Sequence, residues 1–142
     1  MTYSELIQLY FERTNALQNY WTLYVVVVGG LLAFSSMRRV PALLTTLAVT
    51  LLFSLFAYEN LDAIETSSVQ RLGTLALIQQ ADAAAAPGIA PVRQKLEPLL
   101  TPASVSASRR THLIGDVLVV FAIWAMEFAR RRRTAARQAS TH

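Results

Sequence analysis

Three stretches of the chain are apolar over lengths that suit either a membrane-crossing helix or a large protein core. They are YWTLYVVVVGGLLAFSSM (20–37), VPALLTTLAVTLLFSLFAY (40–58) and LIGDVLVVFAIWAMEFA (113–129). A hydrocarbon layer of about 30 Å is crossed by roughly 17 to 25 helical residues, so all three have the required length. A core large enough to hide them is not on offer. The chain has 142 residues, 54% hydrophobic and only 15% charged, with a positive mean hydropathy, and a domain of that size leaves much of its surface in contact with solvent. The excess is expected to face lipid. In lipid the β-branched run Val25 to Val28 has one single-segment solution, the helix, because unpaired strand backbone is too costly there.

The sequence therefore predicts an all-α integral membrane protein with three transmembrane helices, the first two extended beyond the bilayer as a helical stalk. Residues 1–19 form an extramembrane extension of the first transmembrane helix (20–37), and a short basic loop (38–39) leads to the second (40–58). An extramembrane helix and proline-rich return segment (59–112), the third transmembrane helix (113–129) and a basic C-terminal tail (130–142) complete the chain. A cleaved signal peptide is disfavoured for the first run, which lacks a basic leader and is followed by Arg38 and Arg39.

Basic residues set the expected orientation. Arg38 and Arg39 lie between the first two apolar runs, and Arg130, Arg131, Arg132 and Arg133 close the third, so three crossings put both groups on one side. By the positive-inside rule that side is cytoplasmic. The N-terminus is then outside, in a bacterial inner (plasma) membrane; twelve arginines against one lysine also fit a GC-rich bacterial coding sequence. The arginines act as membrane anchors, each favoured by about 1 kcal/mol near an anionic lipid surface, so anionic lipids are an expected partner of the tail. Nucleic acid is not: RRRRTAARQ has no interleaved aromatics and no folded module around it.

Two carboxylic acids interrupt the third apolar run. Asp116 and Glu127 are eleven residues apart, three turns and roughly 20° on a helix, so they share a face about 16 Å long with Val120 and Ile123 between them. Thr46, Thr50 and Ser54 recur every four residues on the second run and form a matching hydroxyl face. Together these five residues are a possible intramembrane polar site. The plainer expectation is that Asp116 reaches Arg109, Arg110 or water at the interface, and that Glu127 makes exposed helical pairs with Arg130 and Arg131.

Helix-helix contacts leave a third signal. Positions 3, 7, 10, 14, 17, 21, 24 and 28 alternate steps of four and three, a heptad seam that includes Tyr3, Ile7, Tyr10 and Leu17. Beyond the second run, Leu61, Ile64, Ser68, Leu72 and Leu75 form a stripe, within a helix expected to run from a first-turn Pro41 to a stop at Pro87. The predicted stalk pairs Leu17 with Leu61, and Tyr3 and Ile7 with Leu72 and Leu75, rising roughly 20 to 25 Å at about 1.5 Å per residue. Gly29 and Ala33 make a small-xxx-small pair where a further helix could approach.

No catalytic constellation is present: there is no nucleophile with a base, no HExxH and no phosphate-cradling glycine loop. Without cysteine there is no thiol chemistry, and His112 and His142 have no partners at metal-ligand spacing, so no metal, cofactor or enzyme activity is expected. The leading expectation is a protein that acts by interaction, as a scaffold or accessory subunit of a membrane complex or as a homo-oligomer. A transport or proton-coupled subunit using Asp116 and Glu127 is the alternative, and an extracytoplasmic sensor a second one.

Overall fold

A computed structural model describes residues 1–80, 90–100 and 102–140. The chain is helical, with no strand among the described residues. Helix α1 spans Tyr3–Met37, α2 Leu43–Gln80, the short α3 Ala90–Leu96, and α4 Val105–Ala139; a single 3-10 turn, Glu97–Leu99, follows α3. Helices α1, α2 and α4 are each long and apolar enough to cross a membrane.

Local chemistry sets the helix ends. Thr2 opens α1 with a reciprocal cap: its hydroxyl accepts from Glu5 N at 3.3 Å while Glu5 Oε2 accepts from Thr2 N at 2.7 Å. The helix stops at Met37, and Arg38 is extended. Pro41 helps enforce the break, because the residue before a proline is pushed out of helical conformation. Helix α2 takes its first bond from Thr46 N to the Ala42 carbonyl at 3.0 Å, so Pro41 sits just ahead of the helix and not in its first turn. Ser104 caps α4, accepting from Ala107 N at 3.2 Å. The link between α1 and α2 thus covers 38–42 and is longer than the two residues expected. Helix α4 begins well before residue 113 and carries the tail to Ala139, in keeping with the helix-forming alanines and arginines of that segment. The expected stop at Pro87 lies outside the described residues.

Helices α1 and α2 are antiparallel partners, and α4 lies against both. All eight seam positions of α1 are buried or half-buried, with Tyr10, Leu17 and Tyr24 innermost. At the far end of the α1–α2 pair, Leu6, Tyr10, Leu75, Ile78 and Leu100 form one apolar cluster, with Tyr3 and Ile7 packed against it. Leu100, the residue after the 3-10 turn, packs into this cluster. Ile64, Ser68 and Leu75 are buried and Leu61 half-buried, but Leu72 is 38% exposed. The reason is geometric. Seven residues after Ile64 a helix returns to within about 20° of the same direction, at Arg71, and the eighth step carries Leu72 about 80° off it. Arg71 and Ile78 accordingly take the inner positions.

A second apolar cluster fills the middle of the three long helices. Tyr24, Phe53, Ala57, Val119 and Ile123 are buried there, with Val27, Leu31, Val49 and Val120 around them. Gly29 and Ala33 are exposed on the opposite side of α1, and a methyl group at Gly29 would meet nothing within 4 Å.

Candidate functional site

Each end of the central apolar layer is closed by a polar join, and each join uses one of the two acids of α4. At the chain's Asp116 end the join begins on α1, where the Tyr20 carbonyl accepts from Asn60 Nδ2 of α2 at 3.2 Å. Asn60 Oδ1 lies 3.1 Å from His112 Nε2, and His112 Nδ1 lies 2.9 Å from Asp116 Oδ2 one turn further along α4. The Tyr24 hydroxyl donates to Asp116 Oδ1 at 2.9 Å and returns the chain to α1. The His112 side chain is 0% exposed, and its ring is enclosed by those of Tyr24 and Trp21, whose centroids lie 4.3 and 5.7 Å away.

Gly115 makes this closeness possible. A Cβ at that position would sit 2.6 Å from the Tyr24 hydroxyl oxygen, so any side chain there would push the ring off Asp116. Asp116 is also the one acid beside a groove of about 610 Å³ between α2 and α4, bordered by Phe53, Tyr58, Leu61, Val120 and Trp124. Its side chain is 19% exposed, and the groove is its open side.

The Glu127 end is built from charge. Glu127 is 0% exposed; its Oε1 accepts from Arg131 Nε at 3.1 Å, and its Oε2 from Arg130 Nη2 at 3.2 Å and the Thr46 hydroxyl at 3.2 Å. Arg38 adds a third guanidinium, 3.7 Å from Oε2, while donating to Thr46 Oγ1 at 3.1 Å and to the Ala42 carbonyl at 3.0 Å. Arg130 Nη1 reaches across to the Ser35 carbonyl on α1 at 2.6 Å. This join too gathers all three long helices. Arg38 also lies over the Phe34 ring, 5.8 Å from its centroid, whereas Arg39, Arg132 and Arg133 are exposed.

Two expectations for the acids are corrected by this geometry. Arg109 is engaged with Glu65 at 3.3 Å, leaving Asp116 to His112 and Tyr24. Glu127 is not an exposed helical pair; α1 and α2 cover it and bring Arg38 and Thr46 to it, which a reading of α4 alone could not supply. Of the hydroxyl face, Thr46 bonds to Glu127 and Ser54 borders the groove beside Asp116. Thr50 and Ser54 donate to the carbonyls of Thr46 and Thr50, at 2.8 and 2.9 Å, as hydroxyls commonly do one helical turn back.

The sequence places Tyr24 on the α1 seam but marks no polar role for it, and none for Asn60, His112 or Ser35. One signal was available: His112 and Asp116 are spaced i and i+4, which places them side by side on a helix. Asn60 is a lone amide with no local pattern to mark it. Among the described residues no cluster of acids and histidines could hold a metal ion. No protein-family model matches the chain, and neither a curated protein nor a solved structure matches it.

Proposed function

We propose that this chain is an integral protein of a bacterial inner membrane that works by interaction, as a scaffold or accessory subunit of a membrane complex or as a homo-oligomer. In this reading the central lengths of α1, α2 and α4 cross the bilayer, with the N-terminus outside and the C-terminus cytoplasmic. The outer lengths of α1 and α2 stand beyond it as an antiparallel stalk. Arg38, Arg39 and Arg130 to Arg133 then lie at the inner leaflet, where anionic headgroups favour them.

The observation that carries the reading is that both acids of the α4 apolar run are engaged in joining helices of the same chain. What remains outward is apolar and close to the backbone: Val25, Val26, Gly29, Gly30 and Ala33 on α1 are all exposed. Small residues of this kind let a second helix approach closely in lipid, where dispersion and not the hydrophobic effect drives association.

Purification in a mild detergent, followed by identification of what accompanies the protein, tests this. Either a second copy or a distinct membrane protein should co-purify, and Gly29→Leu should weaken that association without disturbing the fold, since the site has internal room. A lone monomer at every detergent strength would remove the reading.

A proton-coupled subunit is the second reading, favoured by the partly open position of Asp116 at the groove. It needs a route between the two acids, and Val119, Ile123 and Val120 fill that length with apolar side chains.

A further inference from the structure

The hydrogen-bond chain at Asp116 has a fixed direction, and the direction determines how many protons it holds. A carbonyl oxygen only accepts, so the amide nitrogen of Asn60 faces Tyr20 and the amide oxygen faces His112. That oxygen also only accepts. His112 Nε2 must therefore carry a hydrogen. At the other end the Tyr24 hydroxyl donates to Asp116 Oδ1. The contact that remains is Nδ1 to Oδ2 at 2.9 Å, between a ring nitrogen and a carboxyl oxygen that attract only when one of them is protonated.

Two arrangements satisfy every atom: an imidazolium beside a carboxylate, or a neutral imidazole beside a carboxylic acid. They contain the same number of protons, and the pair has zero net charge in both. We propose that His112 and Asp116 form a single-proton binding site, and that loss of its proton breaks the join between α1 and α4 at the contact of Nδ1 with Oδ2. This goes beyond an interaction role and does not depend on which face of the membrane the site occupies.

The surroundings close the ways by which the pair could lose its proton and keep its geometry. Moving the Nε2 hydrogen to Nδ1 would set a bare nitrogen against the Asn60 oxygen. Turning the Asn60 amide over would then set that oxygen against the Tyr20 carbonyl. His112 itself is held between the Trp21 and Tyr24 rings. Asp116 is the member with space to move, and the groove bordered by Tyr58, Leu61 and Val120 lies beside it. Without the proton, Nδ1 and Oδ2 meet as two lone pairs, and the 2.9 Å contact between them is no longer attractive.

No neighbouring charge stands ready to replace the proton. From α1 the titratable group facing the pair is Tyr24, already the donor to Asp116. From α2 the facing groups are the neutral Asn60 and, along the groove, the Tyr58 phenol; Glu59 and Asp62 beside them are exposed, and Glu65 is bound to Arg109. Arg110 on α4 is exposed.

The test is a titration of the full-length protein in lipid nanodiscs, carrying His142→Gln so that a histidine-directed 15N label reports His112 alone. Ring-nitrogen spectra are taken across a pH series from about 5 to about 9, which brackets neutrality on both sides. The expected result is a protonated Nε2 at the acid end and one step, read in the Nδ1 signal, as the pair loses its proton. In Asp116→Asn the step should vanish while Nε2 stays protonated, because the new amide donates to Nδ1 and accepts from Tyr24 without needing a mobile proton. A wild-type protein with no step, an unprotonated Nε2 at the acid end, or an Asp116→Asn variant that titrates as the wild type does would each overturn the proposal. Should Asp116→Asn fail to fold, the wild-type spectra alone still decide.

Discussion

Asp116 and Glu127 sit on one face of α4, and each joins the same three helices, yet they are held by different means. Around Asp116 the partners are an amide, an imidazole and a phenol, and donors and acceptors alternate along one line. Around Glu127 they are three guanidiniums and a hydroxyl converging on one carboxylate. The first join can be complete without net charge. The second cannot, since removing its anion leaves cations facing one another away from water. Hydrogen-bonded chains in low dielectric depend on every member being satisfied, whereas buried ion clusters depend on charge balance, and breaking one typically costs about 3 to 5 kcal/mol.

The difference is sharpened by removing one partner from each join. Arg130→Ala deletes the guanidinium that ties Glu127 to the Ser35 carbonyl. It should lower stability by about 3 kcal/mol, the low end for a buried pair, because Arg131 and Arg38 remain. Asn60→Ala leaves the His112 Nε2 hydrogen without an acceptor inside the protein. The Tyr20 carbonyl keeps its own helix bond, so a loss of about 2 kcal/mol is expected, within the range for one unsatisfied buried group. The smallest effect belongs to the ion pair outside both joins: with Arg109 63% exposed, Arg109→Ala should change stability by less than about 0.5 kcal/mol. Reversible unfolding in mixed micelles, followed by tryptophan fluorescence and circular dichroism, measures all three. A loss for Arg109→Ala as large as that for Arg130→Ala would erase the distinction between the joins and the surface.

How much of this was legible follows from the range over which each signal acts. The three long helices were readable because apolar length and the proline near residue 41 are local properties. The α1 seam was readable because a heptad pattern records a neighbour's presence without naming it, and its eight positions all turn inward. Leu72 was misplaced by one residue, which on a helix is about 100°. The acids were visible as anomalies, and Arg130, Arg131 and Thr46 were legible as neighbours of Glu127, but the partners of Asp116 were not, since Tyr24, Asn60 and Asp116 come from three helices and nothing in one segment encodes another's register. Glu127 illustrates this well. Its own helix offers Arg130 and Arg131, which suffice for an exposed pair; only the approach of α1 and α2 brings Arg38 and Thr46 and takes the carboxylate out of solvent. No metal-ligand neighbour marks His112 in the sequence; its informative neighbour is Asp116, four residues on.

One chemical change made at both positions tests the central claim most directly. Asp116→Asn and Glu127→Gln each replace a carboxylate by an amide of nearly the same shape, and their unfolding free energies can be compared under one set of conditions. Asn at 116 can donate to His112 Nδ1 and accept from Tyr24, so its stability should stay within about 0.5 kcal/mol of the wild type near neutral pH, as for a change that leaves no buried group unpaired. Gln at 127 leaves three guanidiniums without their anion and should lose about 3 kcal/mol or more. Equal losses at the two positions, or a larger loss at 116, would contradict the account.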